Sequence, residues 1–329
     1  MINNIGIVGL GSIGCRHLRL ARELRSDLNI VAVRSRKGKK IEEEKLVDSV
    51  VYSLEDAIGC GIEAAIIATP AVYHVQQANE LMEKGIHVLI EKPLSHSLDN
   101  VNKLLRIAKI SKLVGLVGYC LRYDPGALKF NKMLNNQKIG KILNAQVECG
   151  SYLPDWRKGM DYRNSVSAKA ELGGGVLSEL SHELDYIRWF FAEMKSVSAN
   201  IQNSGTLDIN VDDSADMIFE SESGFPVSVH LDFNSRNTRR KCIARGANGD
   251  LIWDANLNKV IWHTAGGTKE NETYQNDGDY IYREQLKHFF DCIGKNKEPV
   301  VSIDDGIKVM QIIEAARKSN ETGLKVQVV

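Results

Sequence analysis

No two of the six cysteines (15, 60, 120, 149, 242 and 292) form a CxxC pair or fall at metal-ligand spacing. That excludes a zinc site or disulfide framework read from spacing and fits reduced thiols. There is no charge of either sign to spare. Lysine plus arginine, 42, equals aspartate plus glutamate, 42, so the chain has no global basic field for nucleic acid and no acidic tail. No apolar run approaches the roughly 20 residues that span a bilayer. The first residues enter a strand with no charged n-region, so neither a signal peptide nor a membrane partner is expected, and the expected location is cytoplasmic. Internal repeats and low-complexity segments are also missing. What remains is an ordinary globular composition, 43% apolar and 26% charged over 329 residues, a length that suits two domains.

The N-terminal stretch carries the first chemistry. Ile5–Gly9 reads as a buried strand that runs into Gly9-Leu-Gly11-Ser12-Ile13-Gly14 and then a helical run. Strand, glycine turn and helix N-terminus in that order make a pyrophosphate cradle: tight turn at Gly9, close backbone approach at Gly11, helix–strand packing at Gly14. The plain alternative is an ordinary strand-to-helix turn. A second strand, 29–33, ends not in the acid that holds a ribose 2′-hydroxyl but in Arg34-Ser35-Arg36-Lys37-Gly38-Lys39-Lys40. Arg34, Ser35 and Arg36 suit a 2′-phosphate, favouring NADP over NAD; a solvated basic loop is the competing reading.

Apolar strands at 48–52, 64–68, 86–90 and 113–117 alternate with helical segments at 73–83 and 98–110, the pattern of a parallel sheet covered on both faces. Ligands lie beyond the C-terminal ends of such strands. The fourth strand ends in Thr69-Pro70 with His74 beyond, the fifth in Glu91-Lys92-Pro93, the sixth in a segment reaching Arg122 and Tyr123. The proline holds Lys92 in extended backbone, compatible with a cis bond, which fixes where its ammonium points. A loop lysine paired with Glu91 is the alternative.

These motifs, with Gly173-Gly-Gly175-Val-Leu-Ser178-Glu179-Leu-Ser-His182-Glu-Leu-Asp185, resemble over essentially the whole chain the glucose–fructose oxidoreductase/inositol dehydrogenase/rhizopine-catabolism (Gfo/Idh/MocA) oxidoreductases. The resemblance implies Lys92 as catalytic lysine, His182 as the histidine facing nicotinamide and substrate, and hydride transfer at a sugar or cyclitol carbon. Two positions depart from the pattern. Ala71 stands where the family often has asparagine, and Ser178 where many members carry aspartate, with Glu179 three residues before His182 instead.

From Tyr123 the chain changes character. A helix at 125–134 and an alternating strand at 142–152 lead to a loop with Tyr152, Trp156, Arg157 and Arg163, residues suited to stacking on a sugar face and pairing with an anion. A surface loop with aromatic anchors is the alternative. The spacing predicts one helix over 176–191, with Ser178, His182 and Asp185 on one face and Glu179 on another shared with His182. There His182 would move the substrate proton, with Glu179 or Asp185 in support, Asp185 orienting His182 or pairing with Arg188.

Strands follow between 196 and 263, with closing helices at 280–293 and 304–319, on which Arg283 and His288 are candidate site residues, a solvated face being the reading preferred. Ile218, Val229, Leu231 and Phe233 suggest an apolar open face through which a homodimer or homotetramer would form. The fold class expected is α/β: a doubly wound Rossmann domain at 1–122 and, at 123–329, an α+β substrate and oligomerisation domain with a large, mostly antiparallel sheet. The function expected is an NAD(P)-dependent dehydrogenase or reductase of a sugar, sugar acid or nucleotide sugar. Cofactor sites would be Gly9, Gly11, Ser12, Ile13, Gly14, Arg34, Ser35, Arg36, Thr69, Pro70, His74, Glu91, Lys92 and Arg122. Substrate sites would be Tyr123, Tyr152, Trp156, Arg157, Arg163 and His182, with no metal. The rivals are a cofactor-binding sensor without turnover, a dehydratase or epimerase that recycles bound NAD(H), and an imine reductase.

Overall fold

Short apolar runs ending in glycine or polar residues become strands, and amphipathic runs opened by a cap become helices. The computed structural model describes residues 2–36, 40–157, 159–267 and 269–329. Lys37, Gly38 and Lys39 of the basic segment therefore lie outside the described residues. Two compact units form, one from residues up to 120 with 279–307, the other from 121–278 with 308–329.

In the first unit β1 (Asn4–Val8), α1 (Ser12–Leu24), β2 (Asn29–Val33), β3 (Ser49–Val51), α2 (Leu54–Gly59), β4 (Ala64–Ile67), α3 (Ala71–Met82), β5 (His87–Ile90), α4 (Val101–Ser111) and β6 (Gly115–Val117) alternate. The strands pair in parallel in the order β3-β2-β1-β4-β5-β6. Ser53 caps α2 by accepting from the Asp56 amide at 3.0 Å, and Pro70 sits immediately before α3. Except for the half-buried edge strand β3, the strands are buried on both faces, as expected of a parallel sheet with helical crossovers. The strand order reverses between β1 and β4, the topological switch point where such sheets take ligands.

The second unit contains α5 (Pro125–Asn135), β7 (Ile142–Gly150), α6 (Val176–Glu179), α7 (His182–Phe191), β8 (Met194–Gln202), β9 (Ser214–Ser221), β10 (Pro226–Asp232), β11 (Arg239–Gly246), β12 (Gly249–Asp254), β13 (Lys259–Thr264) and β14 (Lys269–Thr273). After α8 (Tyr280–Lys295) and α9 (Ile303–Thr322), β15 (Val326–Gln327) completes its nine-stranded sheet, in the order β14-β13-β12-β11-β7-β10-β9-β8-β15. All pairings are antiparallel except β7 with β10. Asp124 caps α5 by accepting from the Ala127 amide at 2.9 Å, with Pro125 at the first helical position.

Four expectations need correction. The single helix over 176–191 is two, α6 and α7, separated at Leu180 and Ser181; α6 is held by Asp212, whose carbonyl accepts from Val176 N–H and whose carboxylate accepts from Leu177 N–H. Val229, Leu231 and Phe233 do not face outward: they are buried, and only Ile218 of that set is exposed, at 60%. Period-two alternation sends Val229 and Leu231 to the buried face of the sheet, where α6 packs on β9 and β10. The segment 279–307, expected in the second domain, belongs to the first unit, where α8 packs on α1. Arg283 is not merely solvated, since it donates to Glu23 at 2.9 Å. Of the six thiols only Cys60, at the end of α2, is exposed.

Candidate active site

The glycine turn shows what each glycine is for. Gly9 has φ +91°, a region L side chains avoid, and its amide donates to Val33 at 3.0 Å. At Gly14 a Cβ would lie 1.9 Å from the Gly9 carbonyl oxygen, so nothing larger fits between turn and helix. At Gly11, by contrast, a Cβ would meet nothing within 4 Å. That open space lies at the start of α1, beside the exposed Ser12 and half-buried Ile13. Space, first-turn amides and the positive helix end fit the pyrophosphate of a dinucleotide.

The basic segment is partly engaged. Arg34 forms an ion pair with Glu44, itself fixed by accepting from the Ile41 amide at 3.0 Å. Ser35 is exposed, and the Arg36 guanidinium lies 4.9 Å from the centre of the Tyr52 ring. Sequence reading missed Glu44, because an acid eleven residues past a strand end carries no spacing signal.

At the ends of β4 and β5 the chain builds a compact polar cluster. The Thr69 hydroxyl donates to Gln77 at 2.7 Å. His74 is buried, with Nε2 2.7 Å from the Thr69 carbonyl oxygen and Nδ1 2.9 Å from that of Pro93. Burial keeps its pKa below the ordinary value against the pull of those carbonyls and Glu91. Carbonyl oxygens only accept, so each of these contacts needs an N–H on the ring nitrogen that faces it. Expected as a cofactor ligand, it instead clamps two loops, both ring nitrogens facing main chain.

The Lys92–Pro93 bond is cis. Glu91 is 6% exposed; one carboxylate oxygen lies 2.6 Å from Nε2 of the fully buried His17, and the other accepts from the Lys92 amide at 3.2 Å. Burial works to raise the Glu91 pKa, but the His17 hydrogen bond and the Lys92 charge hold it below the ordinary value.

In the second unit, Arg122 gives two hydrogen bonds to Asp185, both 2.8 Å, and its guanidinium lies 5.1 Å from the centre of the Trp189 ring. Both partners are buried. This two-pronged pair fixes the guanidinium of Arg122, expected as a cofactor ligand, and gives Asp185 a partner, Arg122, that the sequence reading did not name. Arg188 is held by Glu193 at 2.7 and 2.8 Å. His182 is 8% exposed and opens α7, while Glu179 closes α6, partly buried.

Trp156 and Arg157 line a pocket with Leu153, Tyr162, Ser165 and Ser167. The Ser167 carbonyl accepts from the Gly175 amide at 3.0 Å, tying that pocket to the glycine run that opens α6. Tyr152 is covered by the Arg236 guanidinium, 3.5 Å from the ring centre, and Trp156 packs edge-on against Phe233. Tyr123 is half-buried beside Arg122. Arg163 is exposed and paired with Asp161 and Asp208 at 2.9 and 3.2 Å.

Two family models cover nearly the whole chain: the oxidoreductase family, NAD-binding Rossmann fold, over residues 3–119, and its C-terminal alpha/beta domain over 131–328. The chain belongs to the Gfo/Idh/MocA oxidoreductase family. Both expected folds, the doubly wound parallel sheet and the large, mostly antiparallel one, are present. A scyllo-inositol 2-dehydrogenase (NAD(+)) of Bacillus subtilis is 26% identical over 342 residues, 98% of this chain and 95% of its own. A 2,7-anhydro-N-acetylneuraminate hydratase of Mediterraneibacter gnavus is 26% identical over 224 residues, 65% of this chain and 56% of that relative. Among solved structures, a levoglucosan dehydrogenase in complex with NADH superposes with TM-score 0.87 at 20% identity over 99% of both chains. No described helix is long and apolar enough to cross a membrane.

Proposed function

We propose that this oxidoreductase moves a hydride between a nicotinamide dinucleotide and a hydroxyl-bearing carbon of a sugar, sugar acid or nucleotide sugar. One observation carries the reading. The open cradle at Gly11 and the Lys92 loop follow β1 and β5, two strand spacings apart (about 10 Å) on the C-terminal edge of one sheet. A bound nicotinamide would supply the hydride acceptor or donor. Lys92 polarises or deprotonates the reacting hydroxyl, and His182 takes or returns its proton. Tyr152, Trp156 and Arg157 would hold the sugar, with Tyr123 beside them; Arg163, bound to two aspartates, is left out of that set.

NADP is the preferred cofactor in this reading. Arg34 already answers Glu44, which leaves Ser35 and Arg36 to carry the preference. An NADP affinity below that for NAD would remove it. The dehydrogenase and NADH-bound neighbours support the redox reading. The hydratase relative supports a second one, dehydration or epimerisation with recycled NAD(H), which tightly bound nicotinamide in purified protein would favour. Self-association through the open face of the nine-stranded sheet belongs to the same proposal.

The test follows nicotinamide absorbance with NADP or NAD against sugars, cyclitols, sugar acids and nucleotide sugars. Turnover is expected with at least one member, and Lys92→Met should lower kcat by about a thousandfold. A variant that keeps most of its turnover removes the lysine mechanism. A protein that binds cofactor but shows no absorbance change across the panel is a sensor or runs the recycled-cofactor reaction, and tightly bound, unexchanging nicotinamide distinguishes the second.

A further inference from the structure

We propose that His17 is a positioning residue for Lys92 and acts through the buried carboxylate of Glu91. The inference rests on the reading of Lys92 as the reacting amine. His17 lies in α1, the helix that opens at the glycine turn, and is fully buried. Its Nε2 meets one oxygen of Glu91 at 2.6 Å, and the other Glu91 oxygen takes the Lys92 amide at 3.2 Å. A chain of two contacts thus runs from the helix of the cofactor cradle to the main chain of the lysine. Room for the carboxylate comes from Gly118, where a Cβ would stand 3.0 Å from the Glu91 oxygen.

Every element around Glu91 contributes polar or charged groups. α1 supplies His17, α3 supplies His74, and the loop itself supplies Lys92. From α8, Tyr282 meets the His17 ring edge-on at 6.1 Å and carries Arg16 over its own ring at 4.6 Å. The group facing Tyr282 from the end of β6 is Cys120.

Stability alone is a poor reason for this arrangement. A buried hydrogen-bonded polar pair adds little over well-packed apolar residues of the same volume, because desolvation offsets the attraction. A carboxylate held ionised beside Lys92 has an electrostatic effect that an apolar pair would lack. It attracts the Lys92 charge and fixes the main chain from which the side chain projects. His17 supplies the hydrogen bond that keeps the carboxylate charged in a place water does not reach.

The test reads Lys92 directly and needs no turnover. Full-length protein is treated with trinitrobenzenesulfonate at one fixed pH, and the labelling rate of the Lys92 peptide is measured by mass spectrometry, with the exposed Lys132 as control. Glu91→Gln keeps the shape and loses the charge; His17→Leu removes the hydrogen bond; His17→Gln keeps a donor. Labelling of Lys92 should speed up by roughly tenfold in Glu91→Gln and His17→Leu, since the carboxylate that attracts the Lys92 charge and holds its main chain is then lost or no longer fixed. His17→Gln should stay within about threefold of the parent, because its amide still donates to the carboxylate.

Unchanged Lys92 labelling in folded Glu91→Gln overturns the proposal, even if its melting temperature falls, and leaves the pair purely structural. If His17→Leu does not fold, Glu91→Gln and His17→Gln decide between them. Equal acceleration of Lys132 also overturns the proposal, since the effect would then be general loosening. Should Lys92→Met keep its turnover, the catalytic reading falls, while the labelling rates still report on His17 and Glu91.

Discussion

At Gly14 a methyl group would meet the Gly9 carbonyl oxygen at 1.9 Å, whereas at Gly11 it would meet nothing within 4 Å. The two glycines of one motif therefore answer to different masters, packing and ligand. Gly14→Ala should lower the melting temperature by several degrees and cofactor binding with it. Gly11→Ala should fold like the parent and bind NAD(P)H at least about tenfold more weakly, read by nicotinamide fluorescence. Equal melting temperatures for the two variants would refute the division. Residue types and spacing were enough to single out the glycines, Thr69, Lys92 and His182 as candidates, because each belongs to a motif. Partners were not legible. His17 to Glu91 spans 74 positions and Arg122 to Asp185 spans 63, so nothing in local periodicity links them.

Across β9 and β10, His230 sits between Asp216 at 2.7 Å and Asp232 at 3.1 Å. Its pKa is raised to about 9, chiefly by the hydrogen bond to Asp232. Asp232 is held down at about 2: burial works upward, but His230 and Ser235 outweigh it. A histidine bound more tightly to its proton when folded stabilises fully below the unfolded value near 6.5 and loses that contribution as pH rises through about 9. The aspartate contributes above about 4 and loses it as pH falls through about 2. The stability difference between the parent and His230→Asn should thus be largest between about pH 4 and 6.5 and vanish above about pH 9 in urea melts. A difference independent of pH would show that the ring is not charged there.

The buried Arg122–Asp185 pair gives a larger effect at the same scale. Asp185→Asn leaves a buried guanidinium without its anion and should cost about 3–5 kcal/mol in denaturant titration. A loss under about 1 kcal/mol would mean the site admits water. Element types followed from pattern, since alternation gave β9 to β13 and helical spacing gave α5 and α8. The break between α6 and α7 did not, because helical periodicity continues through Leu180 and the cause is a distant residue, Asp212. β14 and β15, 5 and 2 residues long, owe their pairing to neighbours.

For the molecule as a whole, composition indicated two bodies, but the return of 279–307 to the first unit was hidden, because a helix does not declare which surface it packs on. The open face of the nine-stranded sheet has an order that also emerges only from register. Ile218, Ser228, Gln146, Ile243, Ile252 and Ile261 fall in one row across six strands. Beside it Asp216, His230, Glu148, Lys241, Asp254 and Lys259 alternate in sign. A row of four isoleucines with Ser228 and Gln146 between them, flanked by alternating charge, can match a second copy of itself. Light scattering should show the parent as a dimer or tetramer and the double variant Ile218→Lys, Ile243→Lys at monomer mass. A monomeric parent would end the self-association proposal.

The distribution of thiols provides a built-in clock. Cys60 is exposed and the other five are buried, so a maleimide should take up one equivalent at once on the unmodified chain. Any further uptake must wait for part of a core to open, and its rate measures how often that happens. If α1 is steadied by ligand at the glycine turn, Cys15 in its first turn should become the slowest thiol to react when NAD(P)H is added. The native sequence would then report its own cofactor without a dye being engineered in.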